Sequence, residues 1–416
     1  MRSLMLILGV LLAQMAVAQD SLYTRHVIQE LTSEKYNGRG YVKAGDVKAA
    51  DFISSEFKRL GLKPGAAGKW VQPFSFPVNT FPGAMQVSLN GSALRPGADF
   101  IVEPGMSSLK GKFEVVTITK RMAGYSSSEI RGKFILIDTA GTGFSVDKED
   151  MQAWKKNYFG AAGMIWVQPA KLTWSVSTSD GEFPVIEVLK ETLKGSTVRQ
   201  IELNVEAKWI PEYKTGNVVG VIPGSLYADS FLLVTAHYDH LGRMGASTYF
   251  PGANDNASGI SMLLNLAAWF SGPGHTSPYT LVFIAFAGEE AGLIGSKYYT
   301  EHALIPLKKI RFLINLDLLG TGDDGIMVVN ATEFPKEFSR LDSLNTALSL
   351  LPKIGQRGKA ANSDHYFFTE KGVPAFFCYT LGGITAYHDV YDVEKTLPLT
   401  RYRQVFSLLK DFVSSF

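Results

Sequence analysis

The sequence predicts an α/β fold in which a mixed, mostly parallel sheet is flanked by helices. From residue 217 onward, short apolar runs suited to buried strands alternate with segments of helical spacing. Residues 81–207 have a different character, because short alternating runs are separated there by Gly and Ser turns. The two patterns together indicate an α/β domain and an inserted β-rich module.

Each expected element follows from its local pattern. Residues 46–62 carry apolar side chains at helical spacing, and the stop signal Pro64-Gly65 follows them. The β-rich module contains one expected helix, near residues 147–158. In the second half we expect buried strands at 231–236, 279–287 and 311–316, and helices at 258–270 and 399–416.

The composition excludes several classes of protein. The 416 residues are 46% hydrophobic and 19% charged, which is typical of a folded chain and not of a disordered one. The formal net charge of +2 gives no reason to expect nucleic acid as a partner. Cys378 is the single cysteine and lies in an apolar run, so we expect it to be a buried core residue.

The N-terminus predicts export. Arg2 supplies a positive start, residues 4–17 form an apolar run, and Ala16-Val17-Ala18 is the pattern that signal peptidase cuts. The run is shorter than the roughly 20 apolar residues that a membrane-spanning helix needs. We therefore expect residues 1–18 to be a cleaved signal peptide, no membrane span after cleavage, and a periplasmic or secreted protein.

Histidine and carboxylate residues follow the predicted strands of the second half. They are His237, Asp255, the pair Glu289 and Glu290, and Asp317. In open α/β sheets, ligands gather outside the carboxyl ends of the strands, so these side chains would converge on one crevice. Clustered buried carboxylates need a positive partner. Imidazole and carboxylate ligands without cysteine suit zinc, with manganese or cobalt as possible substitutes.

A late histidine, His388, is available to complete this set. Taken singly, each feature has a simpler explanation, since an H-x-D triplet is common and paired glutamates usually mark a solvated surface. Their occurrence in order, each beside a strand end, favours a metal site.

These motifs resemble those of the zinc exopeptidases that include bacterial leucyl-type aminopeptidases and glutamate carboxypeptidase. The matching runs are H-x-D at 237–239, D-N-A-S-G at 255–259, G-E-E at 288–290, N-x-D at 315–317 and Y-H at 387–388. The resemblance covers about residues 217–416 and the stretch 34–40 with its following helix. It implies the zinc aminopeptidase (phosphorylase/hydrolase-like) fold.

The β-rich module resembles a protease-associated domain, through residues 132–137, 160–163 and 183–186. Many members of the exopeptidase family carry such a domain as an insert. We therefore expect a discontinuous peptidase domain at 19–80 and 208–416, with a protease-associated-like insert at 81–207.

The resemblance also implies a metal-binding role for five residues. His237 and Asp317 would bind one zinc ion, Glu290 and His388 would bind a second, and Asp255 would bridge the two ions. Two zinc ions per chain are therefore expected.

Two further residues receive catalytic roles from the resemblance. Glu289 would be the general base that takes a proton from the attacking water and passes it to the leaving amine. Asp239 would accept a hydrogen bond from His237 and so fix the tautomer of that imidazole.

Several neighbouring residues receive no firm role. Asp364 and His365 match a family motif but could equally be a structural pair at a helix start. Tyr387 could donate to the developing oxyanion or simply pack. Asp389 is an extra acid that many relatives lack, and it could alter the charge of the pocket. We expect His240 at the surface or behind the ligands.

The implied function is removal of N-terminal residues from peptides by two-metal hydrolysis. A carboxypeptidase or dipeptidase on the same scaffold stays open, because the loops that would anchor the substrate termini cannot be identified. A glutaminyl cyclase uses a one-zinc version of this fold, and a binding protein would have a degraded site. The complete ligand set disfavours both of these.

Overall fold

The computed structural model describes residues 21–65, 68–119, 121, 124–138 and 148–416. The predicted signal peptide, residues 1–18, lies outside this part of the chain. Within it, we find no helix whose length and apolar content would let it cross a membrane.

Helices and strands are numbered in chain order. The helices are α1 (Ser21–Leu31), α2 (Gly45–Arg59), α3 (Ser127–Ile130), α4 (Lys148–Lys155), α5 (Gly259–Ser271), α6 (Ile294–Glu301), α7 (Pro335–Leu348), α8 (His365–Glu370) and α9 (Tyr402–Ser414). The strands are β1 (Lys63–Pro64), β2 (Val71–Thr80), β3 (Met85–Leu89), β4 (Ser92–Ala93), β5 (Phe100–Val102), β6 (Leu109–Thr117), β7 (Phe134–Ile137), β8 (Gly163–Gln168), β9 (Val185–Leu189), β10 (Gln200–Val205), β11 (Lys208–Ile222), β12 (Tyr227–His237), β13 (Arg243–Met244), β14 (Thr248–Tyr249), β15 (Tyr279–Phe286), β16 (Ile310–Leu316), β17 (Ile326–Val329), β18 (Ile354–Gln356) and β19 (Ala375–Thr380).

The larger sheet has the strand order β1-β11-β15-β12-β16-β19-β17-β18, and β2 also pairs with β11. Its four central strands, β15, β12, β16 and β19, run parallel. On either side, β11 and β17 run antiparallel to their central neighbours. The predicted α/β class is confirmed, and the sheet is parallel at its centre, where successive strands end at one edge.

Helices cover both faces of the larger sheet because its central strands are apolar on both sides. In β12, Leu232 and Val234 pack in the core that includes α1, α2, α5, α7 and α9, whereas Leu233 packs on the opposite face with α6 and α8. The last helix buries residues at spacings of three and four: Val405, Leu408, Leu409 and Phe412. Each such buried side chain contributes about 1.5–3 kcal/mol of hydrophobic free energy.

The smaller sheet has eight strands in the order β4-β3-β10-β6-β7-β8-β9-β5. The chain leaves the larger sheet at Thr80 and returns at Lys208, and these two residues are paired partners in β2 and β11. The core of the smaller sheet also includes Met244 and Phe250, which come from the second half of the chain. The smaller sheet is therefore packed against the loops that follow β12.

Most predicted elements have their observed counterparts within a few residues. The helix expected at 46–62 is α2 and ends at Arg59, because Gly61 has a positive φ of 81° that turns the chain away. The helix near 147–158 is α4. Helices α1, α3, α6 and α7 were not predicted, and α3 has only four residues, which are too few for a period to be read.

Candidate metal centre

The central parallel strands bring the predicted site residues to one edge of the larger sheet. His237 is the last residue of β12, and Asp317 directly follows β16. Glu289 and Glu290 lie in the turn after β15, and Asp255 lies in the turn before α5. All five line one cleft of about 420 Å³, which also includes His388.

The carboxylate of Asp255 lies between two imidazoles. Its Oδ1 is 3.3 Å from Nε2 of His237, and its Oδ2 is 3.0 Å from Nε2 of His388. Asp317 Oδ1 is also 3.3 Å from His237 Nε2, and Glu290 Oε2 is 3.1 Å from His388 Nε2. The structure thus groups the five predicted ligands into two sets of three that share Asp255.

This donor set fits metal ions better than it fits hydrogen bonds alone. Each Nε2 atom faces two carboxylate oxygens but carries at most one proton, so it cannot donate a well-formed hydrogen bond to both. Two ligand atoms that lie about 2.0–2.1 Å from one tetrahedral zinc ion are about 3.3 Å apart. The four distances around His237 and His388 are close to that separation. The residues present therefore fit a pair of zinc ions.

The charges of the cluster are strongly coupled. Burial lowers the pKa of His388, but the carboxylates of Glu290 and Asp255 outweigh it and raise that pKa to about 11. Burial likewise raises the pKa of Glu290, yet the neighbouring His388 outweighs it and brings the pKa down to about 2. The Glu290 carboxylate is therefore ionised at neutral pH, which is the state that binds a cation.

Glu289 is placed differently from the other carboxylates. Its backbone N–H donates to Asp239 Oδ1 at 3.2 Å, but no hydrogen bond from the described part of the chain reaches its side-chain carboxylate. Burial raises the pKa of Glu289 well above its ordinary value; His237 opposes this rise, and Glu290 adds to it. A carboxylate that lines the cleft without a partner is available to exchange a proton.

Asp239 contacts the imidazole of His237 through its main chain. The Nδ1 atom of His237 is 3.2 Å from the backbone carbonyl oxygen of Asp239 but 3.9 Å from its carboxylate. Asp239 therefore accepts from His237 through its backbone carbonyl oxygen, which is the nearer acceptor, and not through its carboxylate. The carboxylate instead accepts from the Tyr41 hydroxyl at 2.7 Å and from the backbone N–H groups of Glu289 and Glu290. It ties the turn after β15 to the loop after β12.

His240 is fully buried and not at the surface. Its Nδ1 is 2.6 Å from Oε1 of Glu290, and its ring meets that of His388 edge to face at 5.8 Å. It could form a ligand group with Asp255 and Glu290. However, 2.6 Å is a charge-assisted hydrogen-bond distance, shorter than the about 3.3 Å between two ligands of one ion. We therefore assign His240 to holding Glu290.

A chain of hydrogen bonds lies behind Asp317. The Ser363 hydroxyl donates to Asp317 Oδ2 at 3.0 Å and accepts from Asn315 Nδ2 at 2.7 Å. Asn315 in turn accepts from the Thr235 hydroxyl at 2.7 Å. The sequence has Ser363 inside the family-like run at 362–365, but only the fold brings it to Asp317.

Arg39 and Asp392 hold the backbone around Asp255, and sequence reasoning assigned neither residue. Arg39 is fully buried and donates to the carbonyl oxygens of Gly252 and Asp255 at 2.8 and 3.1 Å. The Asp392 carboxylate accepts from the backbone N–H groups of Asn254 and Asp255. A buried arginine and a buried aspartate thus fix the turn that presents the shared carboxylate.

The remaining predicted neighbours occupy distinct positions. Asp364 directly precedes α8, which begins at His365, and burial lowers the pKa of His365 to about 4. Tyr387 is exposed and stacks on the His388 ring at a centroid distance of 4.0 Å. Cys378 is buried in the core, as expected.

Comparison with known proteins agrees with this geometry. Residues 217–413 match the sequence model of peptidase family M28. Over these residues the chain is similar to the peptidases of family M28. All the residues of the two proposed ligand sets lie within the M28 region.

Two relatives illustrate the extent of the sequence match. Aminopeptidase YwaD of Bacillus subtilis (strain 168) is 26% identical over 347 residues, which are 79% of this chain and 69% of the relative. A probable leucine aminopeptidase of Arthroderma otae is 31% identical over 182 residues, which are 42% of this chain. The chain matches about half the length of that second relative, 48%.

Two solved structures share the fold. One is BSAP, a zinc aminopeptidase from Bacillus subtilis, which has a TM-score of 0.71 at 20% sequence identity. The match covers 96% of this chain and 95% of the BSAP chain. A peptidase M28 precursor from Shewanella amazonensis has a TM-score of 0.70 at 17% identity, with 98% and 95% covered. The likeness therefore extends over both sheets and not only over the M28 region.

Proposed function

We propose that this protein is a zinc-dependent exopeptidase that removes N-terminal residues from peptides. One observation carries the proposal: the oxygens of Asp255 face His237 on one side and His388 on the other, each with a further carboxylate beside it. The match to peptidase family M28 and the names of the aminopeptidase relatives support the same reaction.

In the proposed centre, His237 and Asp317 would hold one zinc ion, Glu290 and His388 would hold a second, and the carboxylate of Asp255 would contribute to both positions. Zinc at these positions would supply Lewis acidity, which polarises a peptide carbonyl and lowers the pKa of water. The chain's own contribution is to fix this ligand set on the ends of rigid strands.

Glu289 is the proposed general base. Its carboxylate lines the cleft beside the ligand set and has no competing hydrogen bond among the described residues. It takes a proton from the attacking water and delivers it to the nitrogen of the leaving amine. Asp239 positions this residue, because its carboxylate accepts the backbone N–H of Glu289.

The lining of the cleft favours an aminopeptidase over a carboxypeptidase. Among the described residues that line it are four carboxylates, Asp255, Glu289, Glu290 and Asp317, and there is no lysine or arginine. A carboxypeptidase needs a basic group to bind the free carboxylate of its substrate. No such basic side chain is present among the described lining residues, which disfavours the carboxypeptidase.

Two further parts of the proposal concern the whole chain. We propose export after cleavage of residues 1–18, on the basis of the N-terminal pattern. We also propose that residues 81–207 are a protease-associated-like insert in a peptidase domain formed by 19–80 and 208–416. The pairing of Thr80 with Lys208, which flank this stretch, supports the second part.

The test uses two panels of substrates with the purified protein. The first contains aminoacyl-p-nitroanilides and their N-acetylated counterparts, and the second contains N-acetylated peptides with a free carboxyl terminus. We expect cleavage of the free-amine substrates only, loss of activity with a chelator, and recovery on addition of zinc. Cleavage of N-acetylated peptides that have a free carboxyl terminus would instead identify a carboxypeptidase. No hydrolysis by the zinc-loaded protein on either panel would contradict the proposal.

A further inference from the structure

One residue associated with the smaller sheet holds a proposed metal ligand by two hydrogen bonds. Trp174 lies between β8 and β9, both of which belong to that sheet. Its backbone carbonyl oxygen is 2.9 Å from Nδ1 of His388. Its backbone N–H donates to the carbonyl oxygen of His388 at 3.0 Å. Both the imidazole and the main chain of His388 are therefore bound by a single residue outside the M28 region.

The side chain of Trp174 is itself firmly anchored. Its indole N–H donates to the carbonyl oxygen of Val102 in β5 at 2.9 Å. Its ring stacks on Phe250 with a centroid distance of 4.8 Å and lies 6.0 Å from Phe81. Trp174 is only 5% exposed. The position of its backbone carbonyl is therefore set by packing between the smaller sheet and the M28 region.

A second contact reaches the same loop from the same segment. The ammonium group of Lys171 is 3.1 Å from Oδ2 of Asp389 and 2.8 Å from the carbonyl oxygen of Thr385. The Asp389 carboxylate also accepts from the backbone N–H groups of Tyr387 and Tyr391. The extra acid therefore does not act as a free charge in the cleft, because it closes the turn around His388 and pairs with Lys171.

We propose that residues 171–174, called the 171–174 segment below, are a positioning element for the zinc position that uses His388 and Glu290. The inference rests on the proposed function only in taking His388 as a metal ligand. A carbonyl oxygen can only accept, so the contact with Trp174 places a proton on Nδ1 and leaves the lone pair of Nε2 for the metal.

The local backbone shows why an external support is needed. His388 has a positive φ of 53°, a conformation that is uncommon for residues other than glycine. A residue keeps such a backbone conformation only when the surrounding structure stabilises it. The hydrogen bonds from Trp174 and the ion pair from Lys171 stabilise this loop. The other zinc position has no such dependence, because His237 and Asp317 are fixed by the strands β12 and β16.

Loosening the 171–174 segment should weaken one zinc position and leave the other unchanged. Partners of metal ligands typically change metal affinity by about 10–100-fold when they are removed. We expect a loss in this range for the second equivalent of zinc in Lys171→Met and in Trp174→Phe. Lys171→Met removes the ion pair with Asp389, and Trp174→Phe removes the hydrogen bond to Val102.

The experiment is a zinc titration of the full-length metal-free protein with a competing chelator, with a thermal unfolding scan of each variant. Lys190→Met is a matched control, because Lys190 pairs with Asp138 at 3.4 Å and is 38% exposed, against 37% for Lys171. Lys171→Arg keeps the positive charge, so this variant should bind the second equivalent of zinc with the affinity of the wild type. Trp154→Phe is the matched control for the tryptophan, since Trp154 is also buried in the smaller sheet's cores.

Each outcome decides the question. Selective weakening of one equivalent in Lys171→Met and Trp174→Phe, with both controls like the wild type, supports the inference. Equal weakening of both equivalents, or two unchanged equivalents, overturns it while leaving the proposed function intact. A wild-type protein that binds fewer than two zinc ions overturns the proposed two-zinc centre together with this inference.

Discussion

His240 holds one oxygen of the Glu290 carboxylate and leaves the other oxygen to the proposed metal centre. The Nδ1 atom of His240 is 2.6 Å from Oε1 of Glu290, whereas Oε2 of the same carboxylate is 3.1 Å from His388 Nε2. A carboxylate that is fixed in this way presents a single oxygen to a metal ion in a defined direction. The contact joins two motifs that lie fifty positions apart in the sequence.

This relationship predicts different effects for two substitutions of His240. His240→Leu removes the donor and should weaken zinc binding at the Glu290 position by about 10–100-fold. His240→Asn can keep a nitrogen donor near the place of Nδ1, so it should retain more of the affinity. The measurement is zinc titration of both variants. Equal, wild-type affinities in both would show that the hydrogen bond does not support the ligand.

The shared position of Asp255 predicts that its loss affects both ions. Asp255→Asn removes the charge that faces His237 and His388, so neither zinc position should be retained at wild-type affinity. His388→Ala should empty one position only. Elemental analysis after equilibration at limiting free zinc measures the number of zinc ions bound per chain. Two ions bound in Asp255→Asn would contradict the bridging role. Asp229→Asn, at an exposed carboxylate, is the control.

The cleft predicts the preferred side chain of the substrate. Besides the proposed ligands and Glu289, its lining includes Leu293, Leu318, Phe377 and Tyr379. We expect leucyl and phenylalanyl substrates to be cleaved with a kcat/KM at least roughly 10-fold above that of glutamyl substrates, because an ionised side chain loses its hydration in an apolar pocket. The same p-nitroanilide panel measures this ratio. A preference for glutamyl substrates would contradict the assignment of this pocket.

His365 predicts a pH dependence of stability. Burial lowers its pKa from 6.5 to about 4, so the unfolded chain binds this proton more readily than the folded chain does. The neutral imidazole of His365 therefore contributes fully to the free energy of unfolding above pH 6.5. This contribution is lost as the pH falls from 6.5 towards 4, and its upper limit is about 3 kcal/mol. Denaturant unfolding of the wild type and of His365→Gln, from pH 4 to pH 7, measures the difference. Parallel curves would show that His365 does not titrate on unfolding.

Much of the candidate metal centre could be predicted from the sequence because its residues lie at strand ends. A parallel sheet places successive carboxyl ends at one edge, so His237, Glu290 and Asp317 had to be neighbours once their strands were recognised. Asp255 and His388 were found through the motifs that surround them. The residue types themselves carried the signal, since histidine and carboxylate clusters are unusual inside a protein.

The supporting contacts could not be predicted in the same way. Trp174 reaches His388 through a backbone carbonyl, a group that every residue possesses, across 214 positions of sequence. Arg39 and Asp392 act on backbone groups of the turn at Asp255, which depend on the path of the chain and not on residue type. His240 was present beside the H-x-D motif, but only the fold shows that its ring faces Glu290.

The most direct test of the proposed mechanism is Glu289→Gln, measured for zinc content and for hydrolysis in the same preparation. Glutamine keeps the size of the side chain but cannot accept the proton from the attacking water. We predict two zinc ions per chain, as in the wild type, with kcat lower by about 10²–10⁴-fold. A zinc-loaded variant that hydrolyses leucyl-p-nitroanilide at nearly the wild-type rate would contradict the general-base role of Glu289.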